Sequence, residues 1–327
     1  MRCISKRKLI GILAAVLSFS LAVGCGGKAD IENAYNLQDA VESYGLKASA
    51  EEQSSQAFFA EGLCVAGSED VLSENVTAAL SEAAGLFNLQ EGVMEFGKNI
   101  HTRLFPASTT KILTAYVALK HGNLSDTATV TAEELQLEEG SSTCGLAIGD
   151  TLTLEELLYG LIICSGNDAA NVIADLVGGS VGGFVEMMNE EAKALGATNS
   201  HFTNAHGLQD ENHYTTVYDM YLMFQAAIQD EKFKELISAE THLGKLTNAS
   251  GESVTKDWAS TNRYLTGESD QPEGVQVIGG KTGTTNAAGY CLVLYSEKEG
   301  APYISIVFKA GSREDLYTEM SELLEEI

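Results

Sequence analysis

Apolar and polar positions change their period twice along the 327-residue chain. From about Ala57 to Phe105, the runs FFAEGLCVAG, AALSEAAGLFNL and EGVMEFG alternate with Gly, Asn and Asp, which predicts strands and turns. The middle is spaced like helices. Pro106 precedes an apolar helix running from Ser108 toward Lys120, and Thr153 with Glu156 makes a capping-box signature ahead of LEELLYGLIIC. DAANVIADLV stops at Gly178 and Gly179, FVEMMNEEAKAL stops at Gly196, and TTVYDMYLMFQAAIQ is a further amphipathic stretch. The last third returns to β-branched and aromatic runs, VQVIGGKTGTT, GYCLVLYSE and PYISIVFKAG, followed by a terminal helix in the acidic REDLYTEMSELLEEI. Strands at both ends with helices between them predict an α+β domain whose sheet is built from both ends of the chain.

The front of the chain follows a different logic. Arg2, Lys6, Arg7 and Lys8 precede an apolar run from Leu9 to Gly24, too short for a comfortable membrane span, and then Cys25. This is the layout of an export signal, expected over residues 1–24. Residues 25–56 are polar and poor in large apolar side chains, as a tether would be, so the folded domain is expected over 57–327.

Composition narrows the partners. The formal net charge is −26, and removing the four basic residues ahead of Cys25 leaves 16 basic against 46 acidic residues, a net of −30. Such a chain is not expected to bind nucleic acid or anionic membrane surfaces, and an anionic substrate needs a local cation. Cys64, Cys144, Cys164 and Cys291 are widely spaced without a CxxC pair; bridges are open to an exported protein, but the spacing names no partners, and buried thiols fit equally well.

Ser108 and Lys111 stand at i and i+3, so a helix would project both from one face. The SxxK pattern alone says little, because a chain of this size holds about one by chance. This chain holds two more, Ser5 with Lys8 and Ser253 with Lys256, the latter expected in a polar loop. SxN occurs at Ser73, Ser165 and Ser260, but Ser165-Gly166-Asn167 alone falls between two apolar helices. KTG occurs once, at Lys281, Thr282 and Gly283, inside a strand pattern. A serine hydroxyl needs a base to become a nucleophile, and a lysine serves as one when desolvation and a second cation lower its pKa. Lys281 would supply that cation near Lys111 and could receive a substrate carboxylate.

The ordered set SxxK, SxN, KTG, with the longer stretches RLFPASTTKILTAY, TNAHGLQDENHYTTVYDM and GGKTGTTNAAGYCLV, resembles the low-molecular-weight penicillin-binding proteins, the serine-type D-Ala-D-Ala carboxypeptidases. The likeness runs from about Leu104 to Lys309. It implies a β-lactamase/transpeptidase-like fold: an antiparallel sheet flanked by helices, with a mostly helical subdomain. It implies Ser108 as the acyl-enzyme nucleophile, Lys111 as its base, Ser165 as a proton shuttle and Asn167 as the group orienting the substrate amide. Lys281, Thr282 and Thr284 would bind the carboxylate, Gly283 would leave room for the substrate strand, and the N–H groups of Ser108 and Thr284 would form an oxyanion hole. The implied partners are a peptidoglycan stem peptide ending in D-Ala-D-Ala and β-lactam inhibitors. No cofactor and no metal are expected: His201, His206 and His213 could suggest a metal, but HGL resembles a loop of that family.

LAVGC likewise resembles the lipobox of bacterial lipoproteins, which implies lipid on Cys25 and an extracytoplasmic, membrane-anchored protein. Many relatives carry an extra β-rich domain and an amphipathic anchor at the C-terminus; here lipid on Cys25 is expected to take the anchor's place. Two alternatives share the motifs. A class A-like β-lactamase would add a glutamate in an ExxLN segment, which is not found, and would carry SDN instead of SGN. A non-catalytic penicillin-binding sensor would not need Ser108, Lys111 and Lys281 all intact. Ala205 replaces the proline common before HGL.

Overall fold

A computed structural model describes residues 62–327. The expected signal, tether, domain start at 57 and lipid site at Cys25 lie outside the described residues. Strands β1 (Ala83–Asn88) and β2 (Val93–Lys98) join three late strands, β7 (Val275–Thr285), β8 (Gly289–Lys298) and β9 (Ala301–Ala310). All neighbouring pairs are antiparallel and the order is β2-β1-β9-β8-β7, one sheet from both ends of the chain. Its central strands read as near-continuous apolar runs because both faces are covered. Alternate residues divide between two cores: Phe87, Val293, Ile304 and Ile306 pack with the helical layer, while Leu86, Leu292, Leu294 and Val307 pack beneath the terminal helix α8 (Arg313–Glu326). This leaves β7, the KTG strand, on an open edge.

The helical layer comprises α1 (Lys111–His121), α2 (Leu154–Ile162), α3 (Asn167–Gly178), α4 (Val181–Ala194), α5 (Val217–Ala227) and α6 (Glu231–Ser238). Helix α1 is its hub and packs against α2, α3, α4 and α5. Ile112, Leu113, Ala115, Val117 and Ala118 on it are fully buried, as expected for a helix apolar all round. Helix α5 lies under the sheet, where Tyr221 stacks on Phe87 with ring centroids 4.1 Å apart. No helix among the described residues is long and apolar enough to cross a membrane.

Several local expectations change. From Gly62 to Glu82 there is no strand, only a bridge from Val71 to Gly97, because this segment crosses the sheet and α5 as irregular chain. Cys64 on it is buried and donates its N–H to Tyr221 Oη at 2.7 Å. The capping box at α2 is half formed. Thr153 accepts from Glu156 N at 3.3 Å, but the Glu156 carboxylate turns away to His242 at 2.7 Å and Lys245 N at 3.1 Å.

Those two partners belong to a second sheet that the sequence pattern hid. It has the order β3-β4-β5-β6, formed by β3 (Thr127–Thr129), β4 (Thr151–Thr153), β5 (Thr241–Thr247) and β6 (Ser253–Ala259). Ser253 and Lys256 therefore stand on a strand, not in a polar loop. Their strand is mostly polar because it hides little except Trp258, whose ring lies over Gly244: a Cβ there would come within 2.5 Å of it. A short helix, α7 (Arg263–Thr266), returns the chain to β7.

Helix α8 is tied to the start of β1 by the fully buried Glu319, which accepts from Leu80 N at 2.8 Å, Ser81 N at 2.9 Å and the Ser81 hydroxyl. Replacing Glu319 by Ala strands these donors and should cost about 3 kcal/mol, read from the urea-unfolding midpoint. A change below about 0.5 kcal/mol would contradict the tie.

Candidate active site

Ser108 sits on a 3-10 turn, Ala107–Thr110, and the α-helix begins at Lys111, so the serine lies just outside the helix expected to carry it. Pro106 sets the entry, and Thr109 closes the turn on the Pro106 carbonyl through its N–H at 3.2 Å and its hydroxyl at 2.7 Å. Ala107 is held at φ +48°, a left-handed conformation that costs a side-chain-bearing residue about 1–3 kcal/mol. A 3-10 turn repeats every three residues, so positions i and i+3 eclipse. Lys111 Nζ accordingly stands 3.0 Å from Ser108 Oγ.

Lys111 is fully buried, and each of its three N–H positions has an acceptor: Ser108 Oγ, Asn167 Oδ1 at 2.6 Å and the His206 carbonyl at 2.7 Å. Burial, then the charge of Lys281, pushes its pKa well below the ordinary lysine value of 10.5. Once neutral, the amine keeps two N–H groups for the amide and carbonyl oxygens and turns its lone pair to the serine hydroxyl.

Lys281, on the open edge of β7, is 1% exposed, and burial lowers its pKa to about 7. It donates to Ser165 Oγ at 3.0 Å and to the Thr282 carbonyl at 2.9 Å. Ser165 does not cap α3; Gly166 is the N-cap residue, and Ser165 stands at φ +60° with its hydroxyl turned to the lysine. Asn167 opens α3, its N–H held by the Ser142 carbonyl at 2.8 Å. The three motifs thus meet: Ser108 bonds Lys111, Lys111 bonds Asn167, and Lys281 bonds Ser165.

Two cavities flank Ser108 and share Thr284. One, of ≈ 280 Å³, holds Ser165, Thr282 and Gly283; the other, of ≈ 480 Å³, holds Asn167 and the acidic loop at Glu138 and Glu139. Gly283 has a stringent packing reason. A Cβ there would lie 2.9 Å from Pro106 O and Ser108 N, so β7 passes against the serine turn with no side chain between them. Gly207 is tighter still: at φ +90°, a Cβ would fall 1.8 Å from the Ala107 carbonyl.

The cavity on the KTG side has walls that motif reading missed. Thr261 Oγ lies 2.5 Å from Thr282 Oγ, and Arg263 and Arg313 add two guanidinium groups to an otherwise acidic molecule. Thr261 belongs to the Ser260-Thr261-Asn262 copy of SxN, whose motif reading gave no role; Arg313 starts an acidic helix and carries no motif. The histidines do separate work. His213 Nε2 is 2.8 Å from Thr110 Oγ, His206 Nδ1 accepts from Leu208 N at 3.1 Å, and His201 Nδ1 donates to Asn212 O at 2.6 Å. Burial lowers His206 to about 3 and His213 to about 4, so both are neutral at physiological pH. Among the described residues, no group of three or more His, Cys, Asp or Glu could hold a metal.

The model of peptidase family S11, D-alanyl-D-alanine carboxypeptidase, matches residues 71–312, a span that contains all of these groups except Arg313. The chain belongs to this family. It is 33% identical over 250 residues to the D-alanyl-D-alanine carboxypeptidase DacF of Bacillus subtilis, covering 75% of this chain and 61% of that one. It is 32% identical over 232 residues to the D-alanyl-D-alanine carboxypeptidase of Streptomyces sp. strain K15, covering 68% and 78% of the two chains. The match to DacC of Escherichia coli is 35% over 237 residues, 69% of this chain and 56% of that one. The chain therefore spans about three-fifths of the B. subtilis relative and just over half of the E. coli one. The crystal structure of the Streptomyces K15 DD-transpeptidase superposes with a TM-score of 0.71 at 28% identity, over 76% of this chain and 96% of that one. The expected β-lactamase/transpeptidase-like α+β fold is the observed one.

In this member of family S11, Gly283→Ala should push β7 off the serine turn and, with Ser108 as the nucleophile, slow its acylation by benzylpenicillin about a hundredfold while leaving the fold intact. Stopped-flow or quenched mass spectrometry gives the rate; one within twofold of wild type would contradict the close approach.

Proposed function

We propose that the protein is an extracytoplasmic serine-type D-Ala-D-Ala carboxypeptidase that removes the terminal D-alanine from peptidoglycan stem pentapeptides through an ester on Ser108. The observation that carries this reading is the fully buried Lys111 amine, held by Asn167 and His206 with its remaining valence on the Ser108 hydroxyl.

In this mechanism the substrate lies along the open edge of β7 and pairs with it through backbone hydrogen bonds. Its terminal carboxylate meets Lys281 together with the hydroxyls of Thr282 and Thr284, and Arg313 adds charge at the cavity wall. Lys111 takes the Ser108 proton as Oγ attacks the penultimate carbonyl carbon, and the N–H groups of Ser108 and Thr284 receive the oxyanion. Asn167 holds the substrate amide. Ser165, bonded to Lys281, passes a proton to the departing amine as the C–N bond breaks. Water then attacks the ester and frees the shortened peptide and Ser108. A β-lactam acylates the same serine, but its leaving nitrogen stays attached, so the ester persists. Export by residues 1–24, lipid on Cys25, a tether over 25–56 and a catalytic domain from 57 onward complete the reading; they rest on the basic–apolar–cysteine layout of the N-terminus.

Intact mass after benzylpenicillin should show one covalent adduct on the wild type and none on Ser108→Ala, and the wild type should release D-alanine from a pentapeptide. An adduct on the mutant, or an unmodified wild type, would overturn the nucleophile. β-Lactam turnover without D-alanine release would favour the β-lactamase alternative, and a persistent adduct with neither activity the sensor. Lipid labelling that survives Cys25→Ser would refute the anchor.

A further inference from the structure

Cys144 and Cys164 take no part in this mechanism, yet they sit where its pieces join. Cys164 immediately precedes Ser165 and is partly exposed, its thiol 3.1 Å from the Gly160 carbonyl. Cys144 packs on the same place from the other side: a Cβ on Gly160 would stand 2.9 Å from its sulfur, and one on Gly166 would stand 3.0 Å away. Both thiols therefore lie against the Gly160 backbone, although they are 20 residues apart in sequence.

Cys144 also lies beside a wall of the site. Two residues before Cys144, the Ser142 carbonyl fixes the Asn167 N–H, and Ser142 lines both cavities beside Ser108. The Cys144 N–H and thiol both meet Asp168 Oδ1, at 2.9 and 3.3 Å, one residue past Asn167. A covalent link between the sulfurs would, together with the Cys144–Asp168 hydrogen bond, close a ring around the Ser165–Asn167 turn.

We propose that Cys144 and Cys164 form a reversible disulfide that controls acylation by repositioning the Ser165–Asn167 turn. This rests on the carboxypeptidase reading for its consequence but not for its chemistry. With a small-molecule disulfide as oxidant, the accessible Cys164 sulfur attacks one sulfur of the reagent, the reagent's S–S bond breaks, and one thiolate leaves. The Cys144 thiol then attacks the Cys164 sulfur, and its proton passes to the second thiolate as that leaves. Two protein thiols are oxidised, one reagent disulfide is reduced to two thiols, and the protein's two protons end on them. The two sulfurs, both free thiols beside Gly160, must close to about 2.05 Å, which moves the segment bearing Ser165 by more than the tolerance of a proton-transfer geometry.

The test treats the full chain with oxidised glutathione, maps cross-linked peptides by mass spectrometry, and times benzylpenicillin acylation before oxidation, after it, and after re-reduction. The expected result is a Cys144–Cys164 peptide pair, acylation slowed about tenfold or more, and recovery on reduction. Cys164→Ala should be acylated normally and show no slowing with oxidant. Absence of that cross-link, or a cross-link with an unchanged acylation rate, would overturn the proposal. A reduced wild type that benzylpenicillin never acylates would instead overturn the function, whatever the cross-links show.

Discussion

Two lysine amines held out of water are the constraint around which this molecule is organised. Desolvation penalises the charged form of each, and the charge of Lys281 adds to the penalty at Lys111. A buried amine without partners would be a defect; here each has acceptors placed by a different part of the chain. Lys111 draws on the serine turn, the start of α3 and the loop after α4, while Lys281 draws on Ser165 and its own strand. The Lys111 amine is held by its own turn and by two remote segments fixed around it.

The fixing is visible in the loop that supplies the His206 carbonyl. Asn204 Oδ1 accepts from His206 N at 3.2 Å and Gly207 N at 2.7 Å, so a side chain closes the turn around Ala205. The fully buried Ala205 offers its carbonyl to Thr114 of α1 at 2.6 Å, and His213 joins Thr110 to Thr203. Helix α1 thereby positions both the lysine and one of the lysine's acceptors. On the opposite side, Gly207 and Gly283 let two backbones press on the strained turn at Ala107.

The site was more legible in the sequence than the fold around it. Ser108, Lys111, Ser165, Asn167 and Lys281 announce themselves because their chemistry demands particular residue types in a set order, whereas a single SxxK recurs idly at Ser253. The long strands β8 and β9 were legible because both faces are buried and their central positions are almost all apolar. The second sheet was not: THLGKLT and SVTKDWA bury little beyond Leu246 and Trp258, so their polar alternation reads as loop. Helix α6 was not legible either: the amphipathic stretch that marks α5 stops at Gln229, and the short α6 begins only at Glu231. Thr261, Arg263 and Arg313 reach the cavity through tertiary folding alone, which no spacing rule encodes. Ser108 fell outside its expected helix for a local reason: with Pro106 and a left-handed Ala107 ahead of it, the first turn winds tighter than α.

Burial and the charge of Lys281 hold the pKa of the Lys111 amine, facing Ser108, well below the ordinary 10.5. Heteronuclear NMR of lysine side chains, titrated across the neutral and alkaline range, tests this directly. Two resonances should lose their protons far below 10.5, with that of Lys281 near 7, protonated below that pH and neutral above it. In Lys281→Gln the Lys111 transition should move upward, because the repelling charge is gone. Both lysines titrating at the ordinary 10.5, or a Lys111 transition indifferent to the loss of Lys281, would contradict the account.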